Sequence, residues 1–318
     1  MSPNSELPKA PGKAGSHALY YAGIWFAVFA WGMSFVAARF LLQPQTGGQI
    51  ILSPTILATA RFSIASWFFA IPLARAIIRR QISGRDLLLM AFLGQVAFSL
   101  YFWLQYTGVQ QTNASISAIL VVGLIPVITA VLAQLLGEEH LNPASFGALL
   151  LGFLGVAVIV LPGQPHVSQR SGFIVGALCL IGNAFAFALY SNVSKRWMHN
   201  IPPLVMTGGT MISGTIGLLL LSFFDPAQNR WSAIVRLDAL QWLALLFLAM
   251  VCSVMAYFAY NLALTRIDAS RVAVYIYCEP VIAVLFGITL LGEHLNWQIV
   301  AGAGAIGASV ATVSLLKR

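Results

Sequence analysis

What this sequence has least of is charge: aspartate, glutamate, lysine and arginine together make up 8% of its 318 residues, and only nine of them are acidic. Too little polar surface is available to cover a water-soluble globule of this size, which excludes a soluble enzyme or binding domain. Cysteine is nearly as scarce. Cys179, Cys252 and Cys278 are the three, all within apolar stretches, so they read as small apolar fillers rather than as a disulfide framework. The chain also has no Walker sequence, no His-x-x-x-His pair and no Asp-rich cluster. A nucleotide-driven pump or a metal-dependent membrane enzyme therefore lacks its machinery, and no catalytic residue, cofactor or metal is expected.

What the sequence has in quantity is apolar length. Hydrophobic residues make up 59% of the chain, and a spanning helix needs about 20 mainly apolar residues in a row. Ten such stretches are predicted, at 19–41, 55–74, 87–106, 114–136, 144–161, 172–193, 203–224, 239–263, 269–291 and 297–316. They nearly exhaust the chain, so the expected fold is all-α and polytopic, with ten transmembrane helices. Residues 1–18 lack apolar periodicity and are expected to form a disordered cytoplasmic tail that is too hydrophilic for a signal peptide.

The basic residues set an orientation. With the N-terminus inside, Lys9, Lys13, Arg75, Arg79, Arg80, Arg85, Lys195, Arg196, Arg266, Arg271, Lys317 and Arg318 face the cytoplasm, against only Arg170, Arg230 and Arg236 outside. That bias predicts an even number of crossings of an inner membrane, with both termini cytoplasmic. It also accounts for the net charge of +8 without a nucleic-acid partner.

The sequence repeats itself at a shift of about 154 residues. Pro126 followed by Glu139, His140, Leu141 and Asn142 recurs as Pro280 followed by Glu293, His294, Leu295 and Asn296. Upstream, Tyr101, Phe102 and Gln105 recur as Tyr257, Phe258 and Asn261, and Ala114-Ser115 as Ala269-Ser270. The predicted units are 19–161 and 172–316. Five spans is an odd number, so the second unit must enter the membrane from the opposite side. Two inverted halves can expose one central site alternately to either face, which is the main physical argument for transport.

Several polar groups fall where lipid would penalise them. Arg61 lies about 10 Å into the second span at 1.5 Å per residue, where it either captures a substrate carboxylate or bonds helix-end carbonyls. Glu279 precedes Pro280 midway along span 9, while the position before Pro126 is the apolar Ile125. That carboxylate either serves a substrate ammonium or proton, or pairs with Arg61 or Arg271. Pro126 and Pro280 each remove a backbone hydrogen bond and are expected to kink helices that line a cavity. Tyr275 and Glu279, four residues apart, are expected on one helical face. With Trp31, Ser34, Tyr101, Asn183, Tyr257 and Tyr260 they complete the candidate substrate-binding set. Gly302, Gly304 and Gly307 have dinucleotide-loop spacing but lie inside a span, and read as a small-residue packing face. His140 and His294 read as caps at matching span ends.

Trp31-Gly32-x-Ser34-Phe35, Pro54 and Arg61, Glu279-Pro280, and the two span ends Gly137 to Leu141 and Gly292 to Leu295 together resemble the EamA family of the drug/metabolite transporter superfamily. The resemblance implies export of small organic metabolites from the cell, with bacterial exporters of aromatic amino acids as the nearest likeness. The expected function is thus a secondary transporter of small amphipathic metabolites, for which a monomer suffices. The rivals are a broad drug or nucleoside-like exporter of the same fold and, from another class, a membrane receptor or lipid-handling protein.

Overall fold

Without water to satisfy backbone amides and carbonyls, lipid-embedded chain closes its hydrogen bonds within itself, and helix does this for every internal residue. The computed structural model describes residues 15–42, 52–111, 114–140, 142–160, 170–224, 231–291 and 297–316. The tail before Gly15, Asn113, Leu141, His166, Arg230, Lys317, Arg318 and the second span end at Gly292, Glu293, His294, Leu295 and Asn296 lie outside the described residues, as do the side chains of Phe35, Arg39, Pro54, Ser115 and Arg170.

The described residues contain helices and no strand. Helix α1 (Gly15–Leu42) is followed by α2 (Pro54–Ile78), then by α3 (Gly84–Gly94) and α4 (Tyr101–Gln111), which are joined by a π turn at Gln95–Leu100. Next come α5 (Ala114–Leu135), α6 (Pro143–Val160), α7 (Arg170–Trp197) and α8 (Pro203–Phe223). A short α9 (Ser232–Val235) precedes α10 (Ala239–Leu246) and α11 (Ala256–Leu264), which a second π turn joins at Phe247–Met255. The rest is α12 (Ala269–Val274), a 3-10 turn at Tyr275–Tyr277, α13 (Cys278–Leu291) and α14 (Trp297–Leu316).

Among the described residues, six helical stretches are long and apolar enough to cross a membrane: 18–42, 55–78, 84–105, 174–197, 203–223 and 239–264, with shorter apolar helices at 120–135, 143–158 and 300–313. The outer surface is what lipid requires. Trp67 (81% exposed), Ile78, Phe223, Phe224 (83%) and Trp297 stand outward, while Thr207, Thr210, Asn192, Asn261 and Ser253 are wholly buried. Polar groups inside and apolar groups outside invert the arrangement of a soluble protein, because the solvent is inverted.

Local sequence sets several boundaries. Ser83 and Asp86 form a capping box at the start of α3, the Asp86 N–H donating to Ser83 Oγ at 3.2 Å and the Ser83 N–H to Asp86 Oδ2 at 2.7 Å. Asp238 and Gln241 do the same for α10, at 2.8 and 3.1 Å. Each box thus opens a rod interrupted by a π turn. At the end of α5, Gly137 takes a φ of +70°, and the N–H groups of Glu138 and Glu139 fold back onto Ala133 O at 2.9 and 3.2 Å. Glycine is the residue that enters this left-handed turn without strain. Asn142 Oδ1 then accepts from the Ser145 N–H at 2.6 Å to start α6, so the cap belongs to Asn142, and His140 is exposed.

The expected kinks differ between the two prolines. α5 continues as α-helix through Pro126. Span 9 is instead broken before Pro280, where the 3-10 turn at Tyr275–Tyr277 separates α12 from α13. Pro280 cannot donate to the preceding turn, and the chain tightens there. This departs from the expectation for Tyr275 and Glu279: a 3-10 turn advances 3.0 residues per turn, so the pair does not lie along one α-helical face. Small residues set the close approaches. A Cβ on Gly94 would lie 2.2 Å from Thr210 O, which lets α3 and α8 touch backbone to backbone. Of the three glycines in α14, Gly302 packs with its carbonyl 2.9 Å from a Cβ placed on Gly155, whereas Gly304 and Gly307 have nothing within 4 Å.

Candidate functional site

Each of the two π turns buries part of its length, and the second anchors the candidate site. A π turn shifts the hydrogen-bond ladder by one residue, so carbonyls and side chains near it point where a regular helix would not send them. Ser253 Oγ donates to Leu248 O, five residues earlier, at 2.9 Å, and in turn accepts from Arg61 Nε at 2.6 Å. Cys252 O receives two donors, Trp31 Nε1 at 3.0 Å and an Arg61 terminal nitrogen at 3.3 Å. The turn therefore collects α1 and α2 onto one point of the α10–α11 rod. Arg61 is also within 5.0 Å of the Phe62 ring centre, and its cation adds to the ring contact.

Around this point lies a continuous set of buried rings. Trp31 stands 5.1 Å from Tyr257 and 5.3 Å from Tyr260 between ring centres, and 6.1 Å from Phe187. Phe187 continues to Tyr101 at 6.0 Å and Tyr260 at 5.6 Å. On the other side Tyr257 meets Phe98 at 5.2 Å, and Phe62 meets Phe98 and Phe102 at 5.0 Å each. The separations fall in the range aromatic pairs prefer, with Trp31–Phe187, Trp31–Tyr257 and Phe62–Phe98 edge-on and the other pairs tilted. Tyr260 is fully enclosed, while Trp31, Tyr257 and Phe102 keep a small exposed fraction.

Glu279 is buried at the start of α13. Among the described residues it has neither a hydrogen bond nor an ion pair, so neither Arg61 nor Arg271 is its partner. Its backbone carbonyl lies against Gly32, 3.2 Å from where a Cβ would stand. Phe62, which the Arg61 guanidinium overlies, stands 6.5 Å from Tyr257 between ring centres, and Gly32, against the Glu279 backbone, directly follows Trp31. A half-buried cation and a buried carboxyl group thus border one aromatic cluster.

The other sequence-predicted residues spread around this centre. Asn183 is buried and donates to Tyr101 O at 2.7 Å, while its own Oδ1 has no partner among the described residues. Ser34 turns back onto Trp31 O at 2.6 Å. Tyr275 packs toward the beginning of α1, 5.3 Å from Trp25 and 6.2 Å from Tyr21, away from the rings that meet Trp31. Sequence reasoning passed over Phe62, Phe98, Phe187 and Ser253. In a chain this apolar, a phenylalanine turned inward carries no mark that separates it from one turned to lipid. Ser253 had a signal, since it stands 154 residues after Ser99, and both lie in π turns. Outside the bundle, an apolar groove of about 330 Å³ between Phe26, Phe68, Leu204, Val254, Met255, Phe258 and Ala259 has no polar lining and suits lipid rather than a polar solute.

Residues 19–161 and 174–315 each match the EamA-like transporter family. Among similar proteins are the uncharacterized transporter YyaM of Bacillus subtilis, 24% identical over 211 residues (66% of this chain and 68% of the relative), and an uncharacterized transporter of Archaeoglobus fulgidus, 28% identical over 198 residues (62% and 66%). A probable amino-acid metabolite efflux pump of Salmonella typhimurium is 28% identical over 189 residues, 57% of this chain and 61% of that protein. The matches thus span about two thirds of the length of these relatives. A solved crystal structure shares the fold, with a TM-score of 0.74 at 17% identity over 96% of this chain and 98% of the other. Two family matches that together cover most of the sequence establish that the chain belongs to the EamA-like transporter family.

Proposed function

We propose that this transporter exports small amphipathic metabolites, amino acids with aromatic side chains among them, across the bacterial inner membrane by alternating access. The observation that carries the reading is the buried aromatic cluster bordered by Arg61 and by the unpaired Glu279 carboxyl group. Rings supply apolar contact area at little conformational cost, and an unpaired buried carboxylate favours a cationic guest. Trp31, Tyr101, Tyr257 and Tyr260 would meet the apolar part of the substrate, with Glu279 at its ammonium. Arg61, held by Ser253 and Cys252, would contribute a fixed positive field. Ser34 and Asn183 shape the backbone around the site, while Tyr275 lies off it, against Trp25 and Tyr21.

The reading takes the chain across the membrane ten times in two inverted five-helix halves, with both termini cytoplasmic. Helix pairing supports it. α1 packs on α11 as α7 packs on α4, and α2 meets the second π turn as α8 meets the first, while α6 packs on α14 at corresponding positions of the two halves. Exchange of these pairings between halves is the motion that alternating access requires. The substrate class is supported by the named activity of the Salmonella relative.

The test is uptake of radiolabelled phenylalanine, tyrosine and tryptophan into proteoliposomes of the purified protein, with and without a pH gradient. Saturable uptake that unlabelled aromatic amino acids compete away supports the reading, and acceleration by the gradient adds proton exchange to it. Failure of every amino acid in folded, correctly inserted protein refutes it and leaves a drug or nucleoside-like metabolite as cargo.

A further inference from the structure

At the face where α5 and α7 end and α12 begins, the chain gathers a second set of charges, distant in role from the aromatic cluster. The left-handed turn at Gly137 brings Glu139 back beneath the end of α5, where its side chain is 2% exposed. Lys195 Nζ, from the last turn of α7, lies 3.3 Å from Glu139 Oε1 and 3.2 Å from Asp268 Oδ1. The Ser270 hydroxyl donates to Glu139 Oε2, and its N–H reaches Oε1 at 3.4 Å. Arg271 Nε stands 4.0 Å from Asp268 Oδ2.

The distribution of these residues is what gives the cluster meaning. Glu139 belongs to the first family-matching segment, 19–161, while Lys195, Asp268, Ser270 and Arg271 all belong to the second, 174–315. Each of the bonds just described to the Glu139 carboxylate therefore crosses from one half to the other. We infer that Glu139, Lys195 and Ser270 form a latch that holds the two halves together at the cytoplasmic face and has to part once in every transport cycle. The inference rests on the proposed alternating access.

Energetics favour this role over a purely structural one. A buried ion pair contributes little net stability compared with apolar packing, yet loss of one partner leaves an uncompensated buried charge. Such a contact is either complete or broken and has no favourable halfway geometry, as a two-state element needs. Its components can also separate at modest cost. The Lys195 side chain is 20% exposed and that of Asp268 42%, so both sit at the edge of water and rehydrate when the halves part. Apolar helix faces alone would slide with no such threshold. Lys195 serves two carboxylates, so its loss also sets Glu139 and Asp268 against each other.

The experiment is a distance measurement by pulsed electron resonance, on full-length protein in lipid nanodiscs without substrate. Spin labels are placed at the exposed His140 in the first half and the exposed Arg266 in the second. The unaltered latch should give one dominant short distance. Glu139→Gln and Lys195→Met are each expected to raise the ratio of the long to the short population about tenfold, a shift well within reach of one lost charge pair. Ser270→Ala, which removes a hydroxyl and keeps every charge, should shift it less but in the same direction, and it covers the case in which a charge variant does not fold. Distributions that match the parent in Glu139→Gln and Ser270→Ala alike would overturn the latch. Because the distances are read without substrate, opening in a variant that moves no amino acid upholds the latch and counts against the cargo alone.

Discussion

The indole N–H of Trp31 donates to the carbonyl of Cys252 at 3.0 Å, joining α1 to the second π turn across 221 residues of sequence. The same carbonyl accepts from Arg61, so one backbone oxygen orients both a ring and a cation at the candidate site. In a regular helix the Ala256 N–H would donate to that oxygen; here it turns to Val251 O and Ser253 O, and Cys252 O accepts from α1 and α2.

The Trp31 bond and the Trp31 ring are separable. Trp31→Phe keeps an aromatic side chain but removes the donor, and should lower stability by about 1 kcal/mol, the usual net worth of one such bond. Trp31→Ala also removes contacts to Phe187, Tyr257 and Tyr260 and should cost about 3 kcal/mol or more. Thermal unfolding of the purified variants in one detergent measures both. Equal losses would mean that the bond, and not ring packing, fixes this residue.

Arg61 and Ser253 should behave as a unit. Lysine has a single flexible ammonium and cannot satisfy Ser253 Oγ and Cys252 O in the geometry of a guanidinium fork. Arg61→Lys and Ser253→Ala are each expected to destabilise by roughly 1.5–3 kcal/mol, the range for a hydrogen bond to a charged group. In the double variant the losses should overlap by about 1 kcal/mol or more. Strict additivity in a double-mutant cycle would show that the 2.6 Å contact carries no energy.

Much of this architecture is visible in the sequence, for definite reasons. Apolar length marks helices because lipid leaves few alternatives, and α2, α8 and α14 fall within a few residues of the predicted stretches 55–74, 203–224 and 297–316. The aromatic cluster is legible in part through Trp31, Tyr101, Tyr257 and Tyr260, whose polar tips make them conspicuous in lipid. Other features were hidden. The π turns leave no compositional mark, so the paired donors on Cys252 are not written in the sequence, and Ser253 is marked only by its repeat spacing from Ser99. Helical periodicity makes Tyr275 a neighbour of Glu279, and it fails because the segment tightens to 3-10 before Pro280. The Glu139 cluster depends on three helix ends meeting, which no local pattern encodes.

Close backbone contact between α3 and α8 predicts a sharp asymmetry among glycines. A side chain at Gly94 would meet Thr210 O at 2.2 Å and Ser213 Cβ at 2.8 Å, whereas Gly84 has nothing within 4 Å. Gly94→Val should force the helices apart at a cost of about 3 kcal/mol or more, and most of it should fail to reach the membrane in folded form. Gly84→Ala should leave yield unchanged. Fluorescence-detected size exclusion of tagged protein from membranes compares them directly, and a Gly94→Val peak as tall and symmetric as the parent would contradict the packing described here.

The two charges flanking the aromatic cluster should not serve a zwitterionic substrate equally. Arg61 is already engaged with Ser253 and Cys252, while Glu279 has no partner among the described residues, so the substrate ammonium gains more from the site than the carboxylate does. Phenethylamine, which keeps the ammonium, should therefore compete with labelled phenylalanine far better than 3-phenylpropionate, which keeps only the carboxylate. Glu279→Gln retains the shape of the side chain and removes its charge. It should raise the KM for phenylalanine roughly tenfold to a hundredfold, corresponding to one charge-assisted hydrogen bond, and should abolish the advantage of phenethylamine. If 3-phenylpropionate is the better competitor and Glu279→Gln leaves KM unchanged, then Arg61 is the charge that reads the substrate, and it must leave Ser253 to do so.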